Sequence, residues 1–520
     1  MPIMKNILEQ NYIKWKSSID WIITFVPFIV IVGISILFFA YPEISQKTLA
    51  KLRHFWVDTL GSYYLLMGLC TFIFSIYFAF SKYGDIVLGN RINEKKYSFF
   101  SWACMMFTCG LAADILFYSF AEWILYASNP HIAELGSLQE WAGVFSIFHW
   151  GVIPWSFYLV LAVAFGFMIH VRKRKRYRFS EACRPILGEK VNGAAGRIID
   201  LFAVFALVAG TATTFGIATP LLAAIISTLF PLGIGNKELT IIIIVITCCL
   251  YTYALLHGFK GIRILAKLCM YLFFGLLLYV LVFGGQAIYI IETGVESIGR
   301  FVQYFICLAT YTDPLRKTCF PQDWTIYYWA YWMVWCIAAP FFIGNISEGR
   351  SIKEVILGGY LFGTGSTIAG FVILGNYSLK QQVEGVADYV GQYAVTGDLY
   401  TIVLKIIEGI PGSTMVMFWV MLSMVAFYAT SFDSIAYTAS CYSYRSLNRG
   451  ESPHKGIQLL WCVLLIVFPI ALVYSDSSMA NLQSVSIITA FPIGILILMI
   501  IYSFYKDAGA YMAEREKKWL

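Results

Sequence analysis

The sequence predicts an all-α integral membrane protein with about twelve transmembrane helices, and three observations support this prediction. First, 59% of the 520 residues are hydrophobic and only 13% are charged, whereas a soluble domain carries about 25% charged residues. Second, apolar runs recur along the whole chain, each long enough to cross a hydrocarbon core of about 30 Å as a helix. Third, basic residues are concentrated in alternate loops. We therefore interpret residues 1–520 as one transmembrane domain.

The apolar runs give the predicted spans in order. Residues 1–20 are polar and of mixed charge, and no cleavable signal peptide is visible, so they are predicted to form a short tail. The predicted spans lie near residues 21–41, 56–81, 98–126, 143–171, 197–230, 237–257, 264–292, 324–346, 352–376, 412–441, 456–474 and 482–505. Residues 506–520 are predicted to form a second short tail.

The loop charges predict the orientation. Residues 172–178 read RKRKRYR, which the positive-inside rule places in the cytoplasm. Further basic residues fall on the same side: Lys260, Arg263, Arg350, Lys353, Arg445, Arg449, Lys455 and the tail from Lys506 to Lys518. The 127–142 loop, on the other side, has no Lys or Arg. The pattern predicts a multi-pass protein with both termini in the cytoplasm. We expect the membrane to be the inner membrane of a bacterium.

Two long segments on the opposite side contain amphipathic stretches, near 295–311 and 399–410. These stretches either lie along the membrane surface or form ordinary extracellular loop helices. The predicted layout is two leading helices and their loop over 21–97, a first repeat over 98–292, an amphipathic connector over 293–323 and a second repeat over 324–505.

The third and eighth predicted spans are interrupted by small residues. The third contains CGLAAD at 109–114, and the eighth contains CIAAP at 336–340. If spans 3–7 and 8–12 are two five-helix repeats, these interruptions occupy corresponding places, which is typical of a binding site near the middle of the membrane. The alternative is that small residues only allow close helix packing.

Several aromatic side chains lie too deep for the membrane interface. Trp150 and Trp155 are predicted about 10–18 Å below the outer face of the fourth span, with Tyr158 one turn further on. In the eighth span, Tyr328, Trp332 and Trp335 recur at helical spacing. Converging tryptophans suit a trimethylammonium group, because this cation has no N–H to donate and is attracted to aromatic faces. Packing between helices is the alternative explanation.

The chain resembles the betaine/carnitine/choline transporter family over roughly residues 60–505, and several motifs carry the resemblance. The longest is DWTIYYWAYW at 323–332. The others are YTDP at 311–314, FPQ at 320–322, FHWG at 148–151 with Pro154 and Trp155, KGIR at 260–263, and Ile346-Ser347 before Gly349-Arg350. Together these motifs are long and specific.

The resemblance implies an amino-acid-transporter-like fold: twelve helices, two of them leading and ten forming two inverted five-helix repeats. It also implies a homotrimer and an aromatic box. Carried over by position, the box falls on Trp150, Trp155, Tyr158 and Trp332, with Trp335 further along the substrate path. The chain departs from the family at three places: Tyr331 stands where Trp is usual, Asn345 and Glu348 stand where two Arg are usual, and 110–114 lacks the usual Gly-x-Gly-x-Gly.

The resemblance also points to candidate coupling residues. Sodium-coupled members bind the ion with span-ten hydroxyls, which match Thr430 and Ser431, although these hydroxyls could equally bond between helices. The sodium-free carnitine exchangers place a Met and an Arg where this chain has Ala339 and Cys269, which argues against their mechanism.

Asp114 is the third coupling candidate, because an acid within a membrane span is costly and implies function. Proton-coupled, choline-accepting members are similar in having an acid there. The residue either carries a coupling proton or neutralises a substrate that lacks a carboxylate; a structural hydrogen bond is the alternative. Glu122, nearer the outer end, is interpreted as structural or gating.

These observations predict a secondary active transporter for glycine betaine, choline or carnitine, working by cation symport. A sodium-independent carnitine/γ-butyrobetaine exchanger is the alternative. The sequence shows neither a nucleophile–base pair nor residues at the spacing of metal ligands, so it does not predict an enzyme. The 12 cysteines lie mostly in apolar runs. The expected partners are the small quaternary-ammonium substrate and membrane lipid, with no nucleic acid. No cofactor is expected apart from sodium or a proton as the coupling ion, and no metal beyond transient sodium at Thr430 and Ser431.

Overall fold

The computed structural model describes residues 19–89, 95–109, 112–257, 262–447 and 451–519, and helices dominate it. We label them α1 Trp21–Ala40, α2 Pro42–His54, α3 Leu60–Phe80, α4 Phe99–Thr108, α5 Ala113–Ala127, α6 Pro130–Leu135, α7 Leu138–His149, α8 Val152–Gly166, α9 Phe179–Ala182, α10 Arg184–Leu187, α11 Ala194–Leu229, α12 Asn236–His257, α13 Ile262–Phe283, α14 Ala287–Thr310, α15 Ile326–Trp335, α16 Ala339–Ile346, α17 Ile352–Gly358, α18 Gly365–Gly370, α19 Asn376–Val383, α20 Tyr389–Thr396, α21 Leu399–Glu408, α22 Ser413–Tyr442, α23 Lys455–Tyr474 and α24 Met479–Trp519. Gly110 and Leu111 of the third-span interruption lie outside the described residues, as do the side chains of Lys260 and Arg263.

Nine helical stretches in the described part of the chain are long and apolar enough to cross a membrane. The number rises to twelve when each sharply bent pair is taken as one span. The pairs are α4 with α5, bent by 62°; the 267–283 part of α13 with α14, bent by 116°; and 321–335 with α16, bent by 54°. The prediction of an all-α membrane protein is confirmed.

The predicted boundary after the seventh span differs most clearly from the structure. The sequence predicts a span over 264–292 and an amphipathic stretch near 295–311, but α13 ends at Phe283 and α14 begins at Ala287. The sequence stays apolar across this point, so hydropathy does not mark the turn. The turn follows from Gly284 and Gly285, because Gly285 has φ of +74°, a conformation that favours glycine.

Two polar helical segments were not predicted from hydropathy. The helix α2 begins with Pro42 and ends with Lys51, Arg53 and His54 in its last turn, a distribution that complements the helix dipole. The last helix, α24, continues from the membrane through the predicted tail to Trp519. Helix propensity, rather than apolar length, accounts for both segments.

The basic loop is fixed to neighbouring segments by ion pairs. Arg172 and Arg174 both bind the carboxylate of Asp507 in α24, at 2.8 and 2.7 Å. Arg178 is buried, 3.0 Å from Asp200 of α11, and also donates to the carbonyls of Tyr442 and Tyr444 after α22. We call the side of the molecule that carries residues 172–178 the basic face.

The centre of the protein is α5, in which every residue from Ala113 to Tyr126 is buried. It packs against α11, α22 and the π-helical turn Phe371–Gly375. Beside it, α8 and α16 cross closely: a Cβ on Gly344 would lie 2.7 Å from the carbonyl oxygen of Ala162. Only glycine allows this approach, which brings α16 directly against α8.

The ninth span, Ile352–Val383, packs against α8 through α17 and the π-helical turn Gly359–Thr364. Gly363 makes room for the ring of Trp155, because a Cβ there would lie 2.3 Å from the indole. This span therefore forms a wall behind the deep aromatic residues of α8.

Candidate functional site

A cavity of about 900 Å³ lies between two of the bent pairs, α4 with α5 and α15 with α16, and the helices α8, α11 and α22. It extends from Asp114 and Trp150 to Lys96, Tyr177 and Glu451. Because Tyr177 belongs to the basic loop, the cavity leads towards the basic face. The cavity joins elements that the sequence predicted to meet near the middle of the membrane.

The aromatic rings predicted from the sequence form one cluster around Trp332. Its ring centroid lies 4.9 Å from that of Tyr158, 5.7 Å from Trp150 and 5.8 Å from Trp155. Tyr328 lies on the far side of Trp150, at 5.6 Å. The tilted and edge-to-face ring angles are those that aromatic quadrupoles prefer.

The six predicted substrate residues are arranged in two layers. Trp150, Tyr158, Trp332 and Trp335 line the cavity. Trp155 and Tyr328 are fully buried behind it, and in this structure they support the lining rings. Helical spacing assigns Tyr328, Trp332 and Trp335 to one stripe, and depth singles out Trp150 and Trp155. Neither criterion distinguishes a ring that faces the cavity from one packed behind it.

Trp150 is held from three directions. Its indole Nε1 donates to Oε2 of Glu122 at 2.6 Å. Its carbonyl oxygen accepts from the hydroxyl of Thr367 at 2.8 Å, and its ring stacks on Phe371 at 5.1 Å. The conformation of this ring is therefore fixed by α5 and by the ninth span, before any ligand is considered.

Glu122 begins a chain of buried hydrogen bonds. Tyr126 donates to Oε1 of Glu122, and its hydroxyl lies 2.7 Å from Nδ1 of His149. Because the single hydroxyl proton of Tyr126 is used, Nδ1–H of His149 donates to that hydroxyl, and Nε2 accepts from Thr325 at 3.0 Å. Glu122, interpreted from the sequence as structural or gating, is thus linked directly to a cavity ring.

Asp114 lies in the first turn of α5 and is 2% exposed. Its Oδ2 accepts a hydrogen bond of 2.5 Å from the hydroxyl of Tyr331, which also bonds the hydroxyl of Thr214. The other carboxylate oxygen, Oδ1, is buried without a hydrogen-bond partner. The residue lines the cavity.

The two candidate sodium residues, Thr430 and Ser431, line the cavity on α22. The hydroxyl of Thr430 donates within its own helix, to the carbonyls of Ala426 and Phe427, both at 3.0 Å. The oxygen of Thr430 keeps lone pairs with which it can accept or bind a cation.

The sequence did not predict three contacts of the candidate site: those of Glu122 with Trp150, of Tyr331 with Asp114, and of Thr214 with Tyr331. The sequence did contain a signal for the contact between Tyr331 and Asp114, because both residues depart from the family pattern. The structure shows that the two departures are in contact. Aromatic faces around one buried carboxylate are suited to an organic cation without N–H donors.

A family model and several known transporters match this chain. The family model described as "BCCT, betaine/carnitine/choline family transporter" matches residues 22–513. A carnitine transporter of Acinetobacter baumannii is 27% identical over 92% of this chain and 86% of its own length.

Two other relatives match at similar identity. The glycine betaine transporter OpuD of Bacillus subtilis is 29% identical over 97% of both chains. The uncharacterized transporter YeaV of Escherichia coli is 28% identical over 86% of this chain and 94% of its own.

Proposed function

The chain belongs to the betaine/carnitine/choline transporter family, and we propose that it takes up glycine betaine, choline or carnitine by cation symport. Membership makes it a multi-pass membrane transporter. The choice among these substrates and the coupling ion are part of the proposal. The names of the carnitine and glycine betaine transporters among its relatives support the substrate class.

The observation that carries the proposal is the convergence of Trp150, Tyr158 and Trp332 on one cavity. A trimethylammonium group is attracted to aromatic faces by about 0.5–2 kcal/mol per contact, with Trp the strongest partner. A primary ammonium keeps N–H donors that water satisfies and an aromatic wall does not. The site therefore favours a trimethylated head over an amine such as that of glycine.

Orientation and assembly complete the proposal. We place the basic face in the cytoplasm of a bacterium, because loops rich in Lys and Arg stay inside. The cavity then leads inward.

We also expect the homotrimer implied by the family resemblance. Light scattering of the detergent-solubilised protein measures this oligomeric state directly.

The coupling ion is either sodium at Thr430 and Ser431 or a proton at Asp114. The hydroxyls of Thr430 and Ser431 suit a hard cation. A buried acid beside a cationic ligand can take up a proton when the site is empty and release it when the cation binds. Both sets of residues line the same cavity.

The test is uptake of labelled glycine betaine, choline, carnitine and glycine into proteoliposomes. Four conditions separate the models: no gradient, an inward sodium gradient, an inward proton gradient, and unlabelled substrate inside without an ion gradient. We expect accumulation of trimethylated substrates under one of the ion gradients and little uptake of glycine. Protein-free liposomes are the control.

Two results would contradict the proposal. Equal uptake of glycine and glycine betaine would mean that the aromatic cluster does not select the head group. Uptake that requires internal substrate and does not depend on either ion gradient would indicate exchange instead of symport. Exchange is the mechanism of the carnitine/γ-butyrobetaine type.

A further inference from the structure

We infer that Glu122 is a buried counter-charge for the cationic head of the substrate and acts from behind the ring of Trp150. It contacts the N–H of the ring and not the ligand, so it is a positioning residue with an electrostatic role. Its charge favours a positively charged head over an uncharged group of the same shape. This inference rests on the proposed function and assigns part of its charge selectivity to a residue outside the cavity lining.

The first step is the ionisation state of Glu122. Its Oε1 accepts from the hydroxyl of Tyr126, and its Oε2 accepts from the indole of Trp150, whose N–H can only donate. The bond to the indole is 2.6 Å long, shorter than the roughly 2.9 Å typical of a neutral N–H···O bond. Short bonds of this kind are characteristic of a charged partner. The geometry is that of a carboxylate with a donor on each oxygen.

The second step is that no cationic side chain compensates this carboxylate. Within the described part of the chain, His149 is the one basic side chain with a nitrogen within 4.0 Å of Glu122, at 3.9 Å from Oε1. His149 is fully buried, and its two ring nitrogens are used as one donor and one acceptor, which is the neutral form. A buried charge without an opposite charge is costly. A cation in the neighbouring cavity would supply that opposite charge.

The third step is the position of Glu122 relative to the ligand. Trp150 lines the cavity, whereas Glu122 does not and is fully buried. The ring of Trp150 lies 5.7 Å from that of Trp332, the centre of the aromatic cluster. The carboxylate is therefore separated from a ligand in the cluster by one indole ring. A hydrogen bond from the indole N–H to an anion also polarises the ring and makes its faces more negative, which strengthens the attraction of a cation.

The fourth step is the charge of the cavity itself. Of the lining residues that the structure describes, Lys96 is the one lysine and none is an arginine. Lys96 belongs to the inner mouth, where it lies 4.0 Å from Glu348. Asp114 lines the cavity on the same helix as Glu122, about 12 Å away along the helix axis. Glu122 thus adds a second negative charge to a site that has no cation of its own near the rings.

Glu122→Gln removes the charge and can keep every hydrogen bond. The amide oxygen accepts from Trp150, and the amide N–H donates to the hydroxyl of Tyr126. Tyr126 then donates to Nδ1 of His149, and Nε2–H of His149 donates to Thr325. The chain of hydrogen bonds reverses its direction and no group is left unpaired. The variant therefore tests the charge of Glu122 separately from its contacts.

The test uses pairs of ligands that differ only in the charge of the head. Choline is compared with tert-butylethanol, in which a carbon atom replaces the quaternary nitrogen. Glycine betaine is compared in the same way with tert-butylacetic acid, which is ionised at neutral pH. Affinity is measured by quenching of tryptophan fluorescence in the purified full chain at constant sodium. For each pair, the measured quantity is the ratio of the two affinities.

In Glu122→Gln we expect the cationic member of each pair to bind about tenfold more weakly and the ratio to fall by the same factor. The carbon analogues should bind as they do to the unmodified protein, because they carry no charge at the head. A merely structural loss would weaken both members of a pair together and leave the ratio unchanged.

Tyr126→Phe is the matched control. It removes one of the two hydrogen bonds to Glu122 and keeps the carboxylate. We expect it to change the affinities of both members of a pair alike, so that the ratio stays as in the unmodified protein. A ratio that falls as far in Tyr126→Phe as in Glu122→Gln would assign the effect to geometry and overturn the role of the charge.

Infrared spectroscopy gives a readout that does not depend on the carbon analogues. At neutral pH, with glycine betaine bound, the spectrum of the unmodified protein minus that of Glu122→Gln should contain a carboxylate band and no band of a protonated carboxyl group. Where a carbon analogue binds too weakly to titrate, this spectrum carries the test. A protonated-carboxyl band that disappears in the variant would overturn the inference.

The outcomes separate this inference from the proposed function. Unchanged ratios in Glu122→Gln would overturn the counter-charge role and leave the aromatic site intact. Failure of every trimethylated compound to bind the unmodified protein would overturn the proposed function itself.

Discussion

The indole nitrogen of Trp150 donates a 2.6 Å hydrogen bond to the carboxylate of Glu122, and both side chains are buried. The two residues are 28 positions apart, on α5 and at the end of α7. The hydrogen bond is made by the N–H at the edge of the indole ring, so the ring faces remain available for packing and for the cavity. A carboxylate outside the cavity lining thus fixes the ring that the proposed ligand would contact.

Removing that carboxylate should weaken ligand binding without changing which ligand is preferred. Glu122→Ala leaves Trp150 Nε1 without its acceptor, and we expect a loss of about 1–3 kcal/mol, roughly tenfold or more in affinity. Titration of glycine betaine by tryptophan fluorescence measures it. Glu140→Gln is the control, because Glu140 is partly exposed and pairs with Arg300, and it should change little. Unchanged affinity in Glu122→Ala would show that Trp150 needs no anchor.

Trp332→Ala should have the largest effect of the single ring variants, because Trp332 contacts Trp150, Trp155 and Tyr158. We expect a loss of about 1–2 kcal/mol, roughly tenfold in affinity, and a smaller loss in Trp332→Phe. Trp329→Phe, one turn earlier and outside the cavity lining, is the control. If Trp332→Ala folds and binds trimethylammonium compounds normally, the site assignment is wrong.

The sodium hypothesis is tested with the double variant Thr430→Ala and Ser431→Ala. Loss of two hydroxyl oxygens should raise the sodium concentration for half-maximal uptake, by about tenfold if each supplies one ligand. Thr438→Ala is the matched control: its hydroxyl also lines the cavity and donates within α22, to Ser434 at 2.9 Å. Sodium-independent uptake by the unmodified protein would refute the hypothesis.

Asp114 separates the coupling models. If it carries the coupling proton, Asp114→Asn should abolish uptake driven by a pH gradient, because the amide cannot release a proton. It should also weaken the binding of choline more than the binding of glycine betaine, because glycine betaine carries its own carboxylate. Asp114→Gly restores the usual family residue and should shift preference towards betaine. Uptake of both substrates is measured from mildly acidic to mildly alkaline pH at fixed sodium, and identical profiles would make Asp114 a structural acid.

The loop between α14 and residue 321 offers a stability test away from the site. Burial tends to raise the pKa of Asp313, but backbone N–H groups of Thr318, Cys319 and Lys317 outweigh it, and the pKa is lowered below its usual range. A lowered folded-state pKa stabilises the loop at neutral pH, and this stabilisation is lost as pH falls through that value.

Asp313→Asn should therefore lower the melting temperature at neutral pH and shrink the difference at acid pH. Asn tolerates the left-handed backbone of this position, φ +43°, so the variant tests the charge. Thermal unfolding in detergent at several pH values measures the effect. A difference between the two proteins that does not vary with pH would contradict the charge explanation.

The sequence by itself determined the membrane fold, because the bilayer fixes how long an apolar helix must be, and that length is visible in one dimension. It also predicted the depth of Trp150 and Trp332, since helical rise converts position into depth. The homology motifs at 148–155 and 323–332 then pointed to the substrate class before any contact was known.

Only the tertiary structure decided which groups meet across helices. Tyr331 and Asp114 are 217 positions apart, and Tyr331 and Thr214 are 117 apart. It also separated the rings that line the cavity from Trp155 and Tyr328 behind them. The physical reason is that hydropathy and helical period describe each helix alone, whereas these hydrogen bonds depend on how helices rotate and pack against one another. Close passages such as that at Gly344 and Gly166 set this packing.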